Sequence, residues 1–99
     1  MGYIFNANSV KVAKVNDDGE VYSISERHLG KVHGDGGVFD INGHKLGHVD
    51  STGKVFDLTR HIGIVHSDGG IFDNDNHHLG KSDPPHIEFG GAALLLLIR

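Results

Sequence analysis

Five aromatic residues, Phe5, Tyr22, Phe39, Phe56 and Phe72, follow one another at steps of 17, 17, 17 and 16 residues along a chain of 99. Each has a small partner seven or eight residues later, at Ala13, Gly30, Gly47, Gly63 or Gly80. A period this short is too small for a helix pair or a propeller blade, but it accommodates one β-hairpin of two short strands. The chain therefore reads as an all-β array of about five hairpin repeats of 16–17 residues.

The last four units open with turn residues and run into a strand: Asp18-Gly19, Asp35-Gly36, Thr52-Gly53 and Asp68-Gly69 each precede a Val or Ile followed by an aromatic. Glycine supplies the positive φ of tight turns, and β-branched and aromatic residues suit a pleated surface. A second strand follows in each unit, as in His28-Leu29-Gly30-Lys31-Val32 and Lys45-Leu46-Gly47-His48-Val49, with Asn42-Gly43 and Asp75-Asn76 marking reverse turns. The unit from Tyr3 to Val15 has Ala13 in the glycine position and reads as a degenerate edge repeat.

Glycine in mid-strand costs roughly 0.5–1 kcal/mol, so something must lie against it. One expectation is that the aromatic of the same hairpin covers the bare backbone, placing Tyr22 over Gly30, Phe39 over Gly47, Phe56 over Gly63 and Phe72 over Gly80. The alternative is a strand bend or a close approach of neighbouring units near a common axis.

Hairpins of this length are marginal alone, and 37% hydrophobic residues leave little to bury. The repeats must share one core, and radial closure is the simplest way to remove the edge strands. Residues 1–83 are thus expected to form a closed, flower- or barrel-like hairpin domain, with 84–99 as an apolar tail packed on it or on a second subunit. Residues 27–50 and 60–83 add a higher-order repeat, with 14 identities in 24 positions, which duplication of a two-hairpin segment accounts for.

Runs of Gly-x-Val-(Tyr/Phe)-Asp followed by Leu-Gly-x-Val resemble the β-flower repeats of small bacterial proteins, over Tyr3 to Asp83 and more loosely over the Gly-Gly-Ala-Ala-Leu-rich tail. The resemblance implies hairpin petals around a pseudo-symmetry axis and carries no activity with it. This chain departs from the pattern in having five units rather than four.

Pro84-Pro85 end the array, and the tail closes on Ala92-Ala93-Leu94-Leu95-Leu96-Leu97-Ile98. An apolar run of seven falls far below the roughly 18 residues that cross a bilayer, so no transmembrane segment is expected. Ala and Leu favour helix, a buried strand reads identically, and either must be covered by protein. A plug across one end of the flower and a homo-oligomer seam through residues 92–98 both satisfy this.

Nine histidines stand out. His28, His61 and His78 share one repeat position and His33 and His66 another, so in a closed ring they are candidate metal ligands, for Zn²⁺ or a similar ion. Lys45 interrupts the first set, Asp50 and Asp83 hold the remaining places of the second, Arg27 and Arg60 interrupt a further pair, His44 and His77, and no compact zinc motif is present. Without a ligand the imidazoles are solvated surface groups, and no cofactor is required. Protonating all nine would carry the formal charge from −4 to +5, so association or partner binding is expected to change between neutral and mildly acidic pH.

The acidic turns lack calcium-loop patterns, there is no nucleophile elbow or phosphate loop, and nine Lys and Arg against thirteen acids argue against a nucleic-acid surface. No cysteine is present, which excludes disulfide and thiolate chemistry without identifying a compartment; no signal peptide is evident, and a cytoplasmic placement is the expectation. The functional expectation is a non-catalytic scaffold or protein-interaction module. The alternative is a small binding protein that holds a metal or an anionic ligand through repeated His, Arg and Asp positions.

Overall fold

A computed structural model describes residues 2–84 and 86–98. Ten short strands alternate with tight turns: β1 (Gly2–Asn6), β2 (Lys11–Val15), β3 (Glu20–Ser23), β4 (His28–Val32), β5 (Gly37–Asp40), β6 (Lys45–Val49), β7 (Lys54–Asp57), β8 (His61–Val65), β9 (Gly70–Asp73) and β10 (His78–Ser82). Neighbours in sequence pair antiparallel, and β1 pairs with β10 through Ile4 and Ser82, Phe5 and Lys81, and Asn6 and Gly80. The sheet is a closed barrel. The first unit is no free edge: its strand joins the two ends of the array, and closure leaves no row of unpaired backbone groups.

One face of each strand is buried. Val15, Val21, Val32, Val38, Val55 and Ile71 are at most 1% exposed and form, with Ile4 and Ala13, a ring of apolar side chains inside the wall. The aromatics of the repeat stand one position away from these residues and face outward, as the two-residue side-chain period requires.

The chain after β10 forms α1 (Ile87–Ala93) and a π-helical turn, Leu94–Ile98. Helix α1 contacts β1 and all five even-numbered strands, so it runs into the barrel rather than along its flank. Ala92, Ala93, Leu94 and Leu95 are buried by the barrel's own wall. The plug alternative is thus what the fold adopts, and a homo-oligomer seam through residues 92–98 has only the partly buried Leu96, Leu97 and Ile98 left to offer. A run of seven apolar residues too short to fold alone becomes helical because docking supplies its stability.

The central glycines face this tail. A Cβ built on Gly30 would lie 2.8 Å from Leu97, one on Gly63 2.8 Å from Leu95, and one on Gly80 2.9 Å from Leu94. On their other side the backbone carbonyls of Phe39, Phe72 and Phe5 crowd the same space. The expected cover of Tyr22 over Gly30, Phe39 over Gly47, Phe56 over Gly63 and Phe72 over Gly80 is therefore not formed. In each hairpin the register shifts by one residue: Val21 pairs with Gly30, but Tyr22 pairs with His28, leaving Leu29 as a β-bulge. The same shift recurs at Val38/Phe39 and Val55/Phe56. The bulge turns the glycine inward and the aromatic outward, and the close approach of units near the axis is what excludes a side chain.

Gly90 and Gly91 let α1 enter. A Cβ on Gly91 would fall 2.9 Å from the Cβ of Val65, and one on Gly90 3.0 Å from the Cβ of Ser82. At the entrance His86 places Nε2 3.0 Å from Oδ1 of Asp17 and stacks on Phe89.

Candidate functional site: the outer waist

The bulges decide what the outside of the barrel presents. Each outward aromatic sits in register between one residue of the strand before it and one of the strand after it. Tyr22 lies between Lys14 and His28, Phe39 between Lys31 and Lys45, and Phe5 between Lys81 and Lys11. Phe56 lies between His48 and His61, and Phe72 between Ile64 and His78. Aromatic and basic side chains thus alternate around the waist of a molecule whose extents are 30 × 29 × 21 Å.

The waist divides into two arcs. From β10 through β1 to β6 the flanking residues are mostly lysines, which stay charged at neutral pH. From β6 to β10 they are mostly imidazoles. In the second arc the rings touch: His48 stacks on Phe56 at 4.9 Å and 11° between planes, His61 lies 5.3 Å from the other side of Phe56, and Phe72 is flanked by His66 at 4.8 Å and His78 at 5.2 Å. In the first arc Tyr22 meets His28 at 5.0 Å, His33 packs on Phe39 at 4.4 Å, and the Lys11 ammonium lies 3.8 Å over the Tyr3 ring.

Charge is segregated by height on the barrel. All six lysines lie on strands, whereas every aspartate lies in a turn, in the connection to α1 or at the strand end that leads into a turn. The aspartates are there for a local reason. Asp40 Oδ1 accepts from the amides of Asn42 and His44, Asp57 Oδ1 from Thr59 and Arg60, and Asp73 Oδ1 from Asp75 and His77, each closing a reverse turn. These N–H groups favour the ionised form and hold the carboxyls below the usual aspartate value. Opposite them, Asp50 is lowered first by the Thr52 hydroxyl that donates to it, and then by the Lys54 and Thr52 amides.

Glu20, the first residue of β3, brings an acid beside the waist. It accepts from Nε2 of His28 at 2.5 Å and lies 3.4 Å from the Lys31 ammonium. Lys14 pairs with Glu26 at 2.6 Å, which raises its pKa. Among the described residues Lys11, Lys45, Lys54 and Lys81 are exposed and in no ion pair, the first, second and fourth of them in the lysine arc.

The five histidines singled out from the sequence, His28, His33, His61, His66 and His78, all belong to this outer wall. A closed ring does set equivalent positions on a circle, but the circle faces away from the axis, which the tail fills. His66 and His78 share an open groove of about 490 Å³ with Asp68 and Lys81, yet the Phe72 ring stands between them. His28 and His33 line a second groove across Lys31 and Phe39. The three ligand-type groups that do converge among the described residues are Asp73, Asp75 and His77, with candidate atoms within 4.8 Å of one another. Their turn geometry accounts for that closeness, and Arg60 lines the neighbouring hollow. His44 and His48 are separated in role: His44 lies 3.5 Å from Asp40 in a turn, and His48 is on the wall.

Sequence reasoning had the aromatic and basic positions but not their alternation, because it did not foresee the bulge. The glycine that recurs in the second strand of each hairpin, two residues after His28, Lys45, His61 or His78, was the available signal.

Fold and surface together define a closed ten-stranded antiparallel barrel of five hairpins, filled by its own C-terminal helix and girdled by alternating aromatic and basic side chains. No family model, curated protein or solved structure matches the chain. No helix among the described residues is long and apolar enough to cross a membrane.

Proposed function

We propose that this protein is a non-catalytic interaction module whose working surface is the outer waist. One observation carries the reading: in a chain of net charge −4, most of the lysines stand on the strands that flank the outward aromatics, while the aspartates hold the turns and the strand ends that lead into them. A filled interior supports it too, since the tail occupies the axis where a barrel would otherwise enclose a ligand. Kinship with the β-flower proteins and a cytoplasmic location are part of the same proposal.

The test compares two triple variants of the full chain against immobilised oligonucleotide, acidic polypeptide and sulfated polysaccharide. The waist variant carries Lys11→Gln, Lys45→Gln and Lys81→Gln; the rim variant carries Ile24→Ser, Ile41→Ser and Leu58→Ser. Binding of any one polymer that the waist variant loses and the rim variant keeps supports the module. Absence of binding to all three, or binding indifferent to the waist lysines, overturns it.

A second reading, a small protein that holds a metal or anionic ligand, draws on His66 and His78 sharing one groove with Lys81 and Asp68. Calorimetric titration of Zn²⁺ into chelator-treated protein, repeated on His66→Ala/His78→Ala, decides it. Stoichiometric heat lost in the variant supports the site, and weak non-saturating heat removes it.

A further inference from the structure

We propose that the lysine arc of the waist, from β10 through β1 to β6, binds single-stranded nucleic acid; this rests on the module reading above and names its partner. Net charge counts rims and waist together, and on that count the chain looks unsuited to a polyanion. A strand laid around the barrel meets the waist alone. There Lys81, Lys11 and Lys45 project with no carboxylate in an ion pair with them among the described residues, while Lys14 and Lys31 are partly neutralised by Glu26 and Glu20.

The aromatics choose among polyanions. Phe5, Tyr22 and Phe39 lie on alternate strands, so successive rings are about two strand spacings, or roughly 10 Å, apart. A lysine stands on the strand between each pair. Tandem rings with cations interleaved are the arrangement by which sequence-indifferent single-strand binders stack bases and track phosphates. An acidic polypeptide would use the lysines and leave the rings idle. A duplex presents no unstacked base to them. The imidazole arc from β6 to β10 carries Lys54 as its one lysine, whereas the arc from β10 through β1 to β6 carries Lys81, Lys11, Lys14, Lys31 and Lys45, so the lysine arc is where binding belongs.

The acidic rims bound the path. Carboxylates of Asp40 on one side and Asp50 on the other repel phosphate, which confines a flexible chain to the waist and sets its direction around the barrel rather than along it.

The experiment is fluorescence anisotropy of a labelled oligo-thymidylate of about 16 nucleotides with the full chain at neutral pH, across a salt series. Three unpaired lysines predict a slope of log affinity against log salt near −2, from about −0.7 per contact on a single strand. The Lys11→Gln/Lys45→Gln/Lys81→Gln variant is expected to lose at least tenfold in affinity and most of that slope. Phe5→Leu, which keeps an apolar side chain on the wall, is expected to lose about three- to tenfold with the slope unchanged. Circular dichroism confirms that both variants are folded, and Leu58→Ser on the rim serves as a variant of unchanged affinity.

No oligonucleotide binding at low salt overturns the inference, as does binding that Phe5→Leu leaves unaltered and dextran sulfate competes on equal terms. If poly-glutamate or dextran sulfate binds through the same lysines and the oligonucleotide does not, the inference fails while the module reading stands. If none of the three binds, both fail.

Discussion

Leu95 lies so close to Gly63 that a Cβ added to the glycine would sit 2.8 Å from its Cδ1 and 2.6 Å from the carbonyl oxygen of Phe72. The wall of this barrel is thin at its middle because the tail needs the space, and the tail is helical because the wall encloses it.

Gly63→Ala is therefore expected to destabilise the protein by about 1–3 kcal/mol through overpacking. Combining it with Leu95→Val should recover part of the loss, because one of the two obstructing groups is a flexible side chain. The other is backbone and cannot retreat. Chemical denaturation of the two single variants and the double variant measures the coupling, and strict additivity would count against this contact.

Leu94→Ala removes a side chain that is 3% exposed and lies against Gly80. A cost of about 2–5 kcal/mol is expected for such a truncation. Deleting residues 87–99 should leave the ring of valines facing water and yield no cooperative unfolding transition. A sharp melt of the shortened chain would show that the wall stands without its plug.

Acid should weaken the fold through its turns. Asp57 is held below its ordinary value chiefly by the Thr59 and Arg60 amides, and Asp73 chiefly by the His77 amide. A carboxyl whose folded pKa is depressed contributes stability that is present above the unfolded value, about 3.9, and is lost as pH falls through the folded value. Asp57→Asn is expected to flatten this acid limb while keeping the turn, since Asn6 already accepts from the Asn8 and Val10 amides at the equivalent position. Thermal melts between neutral pH and pH 3 would show it, and an acid limb as steep as that of the unaltered chain would refute it.

The rim offers a contrast. Leu58 is 68% exposed and Ile41 59% exposed, both in turns at the same end of the barrel. Replacing either with serine is expected to change stability by less than about 0.5 kcal/mol, because little apolar area leaves or enters water. A larger loss by denaturation would mean that these residues are covered in solution.

The all-β repeat, its closure and its hairpin boundaries were legible because each unit carries its own turn and strand chemistry. Asp18-Gly19 and Val21-Tyr22 act within a few residues, and five such units in tandem have few ways to remove two edges. In the tail, Leu94–Leu97 satisfy the period of a helix and of a buried strand alike. The tail's place inside the barrel follows from the glycines that receive it.

The waist was the least legible part. His28 and Gly30 are two residues apart, and a regular strand would set them on one face. The Leu29 bulge sends the imidazole out to Tyr22 and the glycine in to the tail.

By itself, then, the sequence determined that this chain is an array of five hairpins with a tail that must be buried, because turn formation and strand preference are local. Tertiary structure decided which side each aromatic faces, why the glycines are bare, and that lysines gather at the waist while aspartates ring the ends. Those depend on register, and register is set by how ten strands close around one helix.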